Sequence, residues 1–183
     1  MHRIIPFFLV VFGFLQAQQS TVSGVVTAGA GQIAIGAEAL GALTSGAANT
    51  AVGYQALTTN VDGSYNAAFG YNALQYFEAD TLNHGTNTAV GYLAGQFVST
   101  GTSNTFLGAQ SGQGVTGTRL TGNSNTGVGY GSGYALQGAA AGNTLMGASS
   151  GIGVTTGNYN TLIGFQCGDS LTTMTHNTAV GAD

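Results

Sequence analysis

Residues 49–57 read NTAVGYQAL, and residues 87–95 read NTAVGYLAG. The same Asn-Thr-x-(apolar)-Gly string returns as NTFLGAQSG from Asn104, NTGVGYGSG from Asn125, NTLMGASSG from Asn143, NTLIGFQCG from Asn160 and NTAVGAD from Asn177. Asn66 opens a variant, NAAFGYNAL, and Gln32 a more degenerate one, QIAIGAEAL. Counting from 32, the intervals between starts are 17, 17, 21, 17, 21, 18, 17 and 17 residues. A near-constant period of this size marks stacked coils, each one structural unit resting on its neighbours. The expected fold is therefore all-β, a parallel β-solenoid of about nine coils over residues 32–183.

Each slot of the repeat, numbered from its Asn, admits few residue types. The fifth is Gly in every copy: Gly36, Gly53, Gly70, Gly91, Gly108, Gly129, Gly147, Gly164 and Gly181. That implies a positive φ or a backbone passing too close for a Cβ. The fourth is always apolar, from Ile35 and Val52 to Ile163 and Val180. It reads as the inward residue of each coil. The eighth is always small, for example Ala56, Ala94, Ser132 and Cys167, as at a tight corner or a close contact between chains. The period leaves room for two strands of about five residues and two corners, and nine coils at ~4.8 Å give a rod of about 40 Å.

The opening Asn (Asn49, Asn66, Asn87, Asn104, Asn125, Asn143, Asn160 and Asn177) has two readings. It can form an internal amide ladder, each side chain bonded to its equivalent above and below. It can equally be a turn residue that tolerates left-handed φ.

Composition narrows the function. Gly is 32 of 183 residues, more than one in six against a usual ~7 %, and charged residues are 4 % where ~25 % is ordinary. Two fixed positive charges, Arg3 and Arg119, are too few for a nucleic-acid binder. One Cys excludes a disulfide scaffold. Collagen is excluded because Gly keeps no period of three.

The first residues, MHRIIPFFLVVFGFLQA, read as a secretory signal peptide over 1–17. Arg3 is followed by an apolar run too short to span a bilayer, and the run closes on the small Ala17. Residues 18–31 form a lead-in to the repeats. A secreted, surface-located chain is expected, with no membrane span after the signal.

The charged residues Glu78, Asp80, His84 and Arg119 avoid the frame and fall in the two longer intervals. Insertions in a solenoid map to projecting loops, where contacts concentrate. These four are the candidate contact residues, with plain solvation of a loop as the bland alternative. No catalytic, metal or cofactor set is legible. Gly147-Ala-Ser149-Ser150-Gly151 matches GxSxG by letters, but the same slots read Gly-Tyr-Gln-Ala-Leu in the Asn49 copy. Gly112-Gln-Gly114-Val-Thr-Gly117 matches GxGxxG without a βαβ setting. Cys167 fills a slot held elsewhere by Ala or Ser and reads as a small buried residue. No enzyme and no cofactor is expected.

The NTAVG strings resemble the head repeats of trimeric autotransporter adhesins, and more closely the NTAVG-type repeats of bacterial surface and phage tail-fibre proteins. The resemblance covers residues 32 to 183. It implies left-handed parallel β-rolls, three chains about one axis, acting as stalks or binding heads for an unknown surface receptor or glycan. The adhesin heads use a shorter coil. The chain stops at Asp183 inside the ninth copy, so a fragment is expected, with an anchor or chaperone domain beyond it. A homotrimer also follows from energetics. A coil of 17 residues gains little more than its ordering costs, and small residues such as Ala56 and Ala94 would let chains approach. The alternative is an ice-binding or other flat-face solenoid that uses the Thr column at 50, 88, 105, 126, 144, 161 and 178.

Overall fold

The structure is a computed structural model that describes residues 31–79 and 84–183. The signal peptide, most of the lead-in and Asp80 lie outside the described residues. The chain winds as a β-solenoid of about eight turns. The described residues carry nine short strands: β1 (Ile33–Ile35), β2 (Thr50–Val52), β3 (Ala67–Phe69), β4 (Thr88–Val90), β5 (Thr105–Leu107), β6 (Thr126–Val128), β7 (Thr144–Met146), β8 (Thr161–Ile163) and β9 (Thr178–Val180). They form one parallel sheet in sequence order. Every pair is in register, slot on slot, as in Thr105↔Thr126, Phe106↔Gly127 and Leu107↔Val128. No helix occurs among the described residues.

Each coil holds one strand of three residues, not the two of about five expected from its length. Left-handed backbone brackets the strand on both sides. Before the Asn stand Ala48, Tyr65, Thr86, Ser103, Ser124, Tyr159 and His176, with φ between 53 and 61°. After it comes the fifth-slot Gly. Gly108 shows why no other residue serves there: its φ is +133°, and a Cβ would lie 2.6 Å from the Gly129 carbonyl oxygen of the next coil. The rest of the coil is turns. Its amides bond to adjacent coils in both directions, as in Leu57 N to Ala73 O at 3.1 Å and Gln55 N to Ala37 O at 2.9 Å.

Of the two readings of the opening Asn, the structure shows the ladder. Successive amides bond Nδ2 to Oδ1 at 2.8–3.3 Å from Asn66 to Asn177. The same Oδ1 also accepts the main-chain N–H of the next Asn. The second Nδ2 hydrogen reaches a main-chain carbonyl, such as Gly101 O from Asn87. Asn104 thus accepts twice and donates twice from its side chain, so its burial leaves nothing unpaired. Gln32 takes over the acceptor role at the first copy, receiving Asn49 N–H at 3.0 Å.

An inward first slot decides the rest of the strand by alternation. The third slot points in, and the second and fourth point out. This corrects the fourth-slot assignment. Ile35, Phe69, Leu107, Met146, Ile163 and Val180 are 37 to 74 % exposed, whereas third-slot Ala51, Phe106, Leu145 and Leu162 are fully buried. The eighth slot is also interior. Ala56 and Ala94 have no exposed surface within one chain, so they cannot be close-contact points between chains. Where that slot is Ser, the hydroxyl donates to the third-slot carbonyl of the next coil: Ser111 to Gly127, Ser132 to Leu145 and Ser150 to Leu162, at 2.7–2.9 Å. Cys167 is buried there as a free thiol, as read from the sequence.

The two four-residue insertions leave the stack intact. In the fifth coil Val115 and Thr118 close a small antiparallel turn, and Leu120 then rejoins the column beside Val98 and Gly138.

Candidate functional site

Among the described residues the loop charges do not assemble into a site. Arg119 lies over the ring of Tyr76, its guanidinium carbon 4.4 Å from the ring centroid, and Tyr76 stacks on Phe97 at 5.3 Å. The inserted loop therefore folds back on the coils before it. Glu78 is half-buried, and its Oε2 accepts the Val61 N–H at 2.6 Å. Burial pushes the Glu78 carboxyl above its usual 4.5; the Val61 N–H opposes the rise, and the neighbouring Asp62 adds to it. His84 is exposed, and its carbonyl receives the Ser64 N–H at 3.0 Å. Arg119 and Glu78 thus have different neighbours.

The letter motifs are structural. Ser149 sits in a left-handed turn with φ 58°, and Ser150 is turned inward. The GxGxxG letters run into the Val115–Thr118 turn. Among the described residues no three His, Cys, Asp or Glu side chains gather to hold a metal. No helix there is long and apolar enough to cross a membrane.

The distinctive surface is instead the outward side of the sheet. Its fourth-slot column is apolar in all nine coils. The second slot beside it carries Thr in seven of them, all exposed or half-buried. Beyond the Gly, the sixth slot adds Tyr54, Tyr71, Tyr92, Tyr130 and Phe165, all more than two-fifths exposed. Eight steps of ~4.8 Å by four residues of ~3.4 Å give a strip of roughly 38 by 14 Å, or about 500 Å². The strip combines the apolar column with the Thr column and the Gly slot, and its whole area is comparable with the biggest apolar patch of a typical monomer. Alternation could have revealed this face in the sequence, once the Asn was placed inside.

A second amide ladder, unread from the sequence, runs beside the first turn. Gln55 donates to Glu38, Gln75 to Gln55, Gln96 to Gln75 and Gln113 to Gln96, at 2.6–3.1 Å. It ends at Gln113, whose buried Oε1 has no partner, because the tenth slot of the next coil is Tyr134. The signal was present as Gln at 75, 96 and 113.

Fold and surface together define a β-solenoid with one apolar strand face. No protein-family model, curated protein or solved structure matches the chain.

Proposed function

We propose that the chain is a segment of a secreted, non-enzymatic fibre: three left-handed β-rolls packed about one axis, serving as a stalk or binding head at a cell surface. The observation that carries this reading is the unbroken outward column from Ile35 to Val180. Water-exposed apolar surface of this extent favours a partner, and a column with one slot per coil fits a parallel copy of itself in register. The contact then lies on the fourth-slot column, with the sixth-slot rings beyond its edge, not at the eighth slot. The resemblance of the NTAVG strings to trimeric surface-fibre repeats supports the same assembly.

Sedimentation equilibrium on the secreted chain tests it. A mass of three chains at micromolar concentration is expected. Phe69→Lys with Leu107→Lys is expected to lower that mass. A well-folded monomer at tens of micromolar would overturn the trimer.

The in-register outward Thr column supports a second reading, a flat face that orders ice or another regular surface. Both readings use one face and exclude each other. A monomer that shows thermal hysteresis selects the second.

A further inference from the structure

Two breaks in the repeat coincide in the sixth coil. In the first eight copies the seventh slot holds Glu38, Gln55, Asn72, Leu93, Gln110, Ser149 and Gln166 elsewhere, and Gly131 here. All of these residues take left-handed φ, from 53 to 61°. The conformation therefore does not demand Gly at 131, and what Gly131 changes is volume. A Cβ there would approach nothing closer than 3.9 Å.

The second break is in the aromatic column. Tyr54, Tyr71 and Tyr92 stack on one another at 5.3 and 5.5 Å between centroids, so each covers a face of the next. Tyr130 instead stands between Ala109 and Ala148 in its column. It is 59 % exposed, with no ring in either neighbouring column position.

The result is an open cleft of about 270 Å³ lined by Gln110, Tyr130, Gly131, Tyr134 and Ile152. Gly131 is buried and is one of the residues that line it. The volume is near the small end for ligand sites and suits a single ring. The lining groups offer an aromatic ring, two phenolic hydroxyls, a primary amide and a branched alkyl chain. No Asp, Glu, His, Lys or Arg lines it. Hydroxyl and amide groups can each donate and accept, which matches a ligand bearing several hydroxyls. The negative face of an aromatic ring suits the C–H face of a sugar ring.

We propose that this cleft binds a neutral pyranose sugar, stacked on Tyr130 and hydrogen-bonded by Tyr134 and Gln110. The inference deepens the surface-attachment reading by naming the class of ligand the fibre would hold.

Saturation-transfer NMR on the full secreted chain tests it. The probes are the methyl glycosides of glucose, galactose, mannose and N-acetylglucosamine, with methyl glucuronoside as the anionic control. Transfer to at least one neutral glycoside is expected. It should fall at least tenfold in Gly131→Gln, which fills the notch with the residue that Gln110 and Gln166 already place in this slot. Tyr130→Ala should have the same effect. Tyr71→Ala, in the stacked part of the column, should leave transfer unchanged. Thermal melts by circular dichroism check that Gly131→Gln folds like the parent. Absence of transfer to every neutral glycoside, retention of transfer in Gly131→Gln, or transfer to the glucuronoside alone would each overturn the proposal. Sedimentation separates the two readings: a sugar-binding monomer removes the trimer and keeps the site, and a trimer that binds no sugar does the reverse.

Discussion

The second and third coils, which begin at Asn49 and Asn66, and the seventh and eighth, which begin at Asn143 and Asn160, share a backbone and fill it from opposite walls. In the earlier pair the strand contributes Ala51 and Ala68, and the ninth slot across the coil contributes Leu57 and Leu74. In the later pair the strand contributes Leu145 and Leu162, and the ninth slot is Gly151 and Gly168. A Cβ on Gly151 would lie 2.8 Å from Leu145, and one on Gly168 2.6 Å from Leu162. These four coils therefore keep interior volume and backbone path, not the identity of the residue that fills the turn. Close packing explains this: a turn has room for at most one large side chain from this pair of slots, and where both are small, as at Ala89 with Gly95 and Gly127 with Gly133, Phe106 or Leu145 of an adjacent coil reaches the space.

The largest expected effect breaks that comparison directly. The fifth coil pairs Phe106 with Gly112, whose added Cβ would sit 2.2 Å from the Phe106 ring. Phe106→Ala alone should cost about 3–5 kcal/mol through its cavity. Gly112→Leu alone should cost about 3 kcal/mol, the upper end of ordinary overpacking, because the rigid Phe106 ring stands in the way. The double variant recreates the Ala51–Leu57 arrangement and should be at least ~2 kcal/mol more stable than the sum of the two costs. Urea unfolding of the four proteins measures this coupling. Additive costs would show that the two walls are filled independently.

A smaller effect sharpens what the regions share. Asn66 and Asn143 have equivalent ladder bonds above and below. Either Asn→Ala change leaves buried donors unpaired, at about 1–3 kcal/mol for each orphaned group. We expect a loss of about 3 kcal/mol at both sites, equal within ~0.5 kcal/mol. A much cheaper Asn143→Ala would mean that the ladder matters chiefly in the earlier coils.

The smallest effect belongs to the earlier region alone. The Glu78 carboxyl is held above its usual 4.5, chiefly by burial. The folded state therefore holds this proton more tightly than the unfolded state. Stability should rise slightly as pH falls through the raised value, and level off below 4.5, where both states are protonated. Glu78→Gln should remove that slope from melts recorded between pH 4 and 7. An unchanged slope would assign it to other carboxylates.

The coil period and the Gly corners were legible because they rest on spacing and on Gly, whereas the two strands of about five residues expected per coil are one strand of three. Gly in the fifth slot of all nine coils locates a backbone position that a side chain cannot enter. The left-handed seventh slot was not legible, because Gln55, Leu93 and Gln166 occupy it with φ of 53 to 58°. Tertiary stacking holds these residues in a conformation that their own preferences disfavour. The fourth slot was misjudged from its uniform apolarity. Uniform apolarity suggests an inward column, but the strand alternation turns it away from the chain's own core. The candidate cleft had one sign in the sequence, Gly131 in a slot filled elsewhere, but its depth depends on Gln110 and Ile152 from adjacent coils.

By itself the sequence determined the nine-fold repeat, the parallel stacking it requires, the Gly corners and the scarcity of charge. Those follow from local spacing and steric limits, which act residue by residue. Only the tertiary structure decided which side of each strand faces inward and whether the Asn forms a ladder or a turn. It also decided which wall fills each turn, and where a notch opens between coils. Those depend on atoms some 17 residues apart along the chain being brought to within ~5 Å by stacking, and no single coil contains that information.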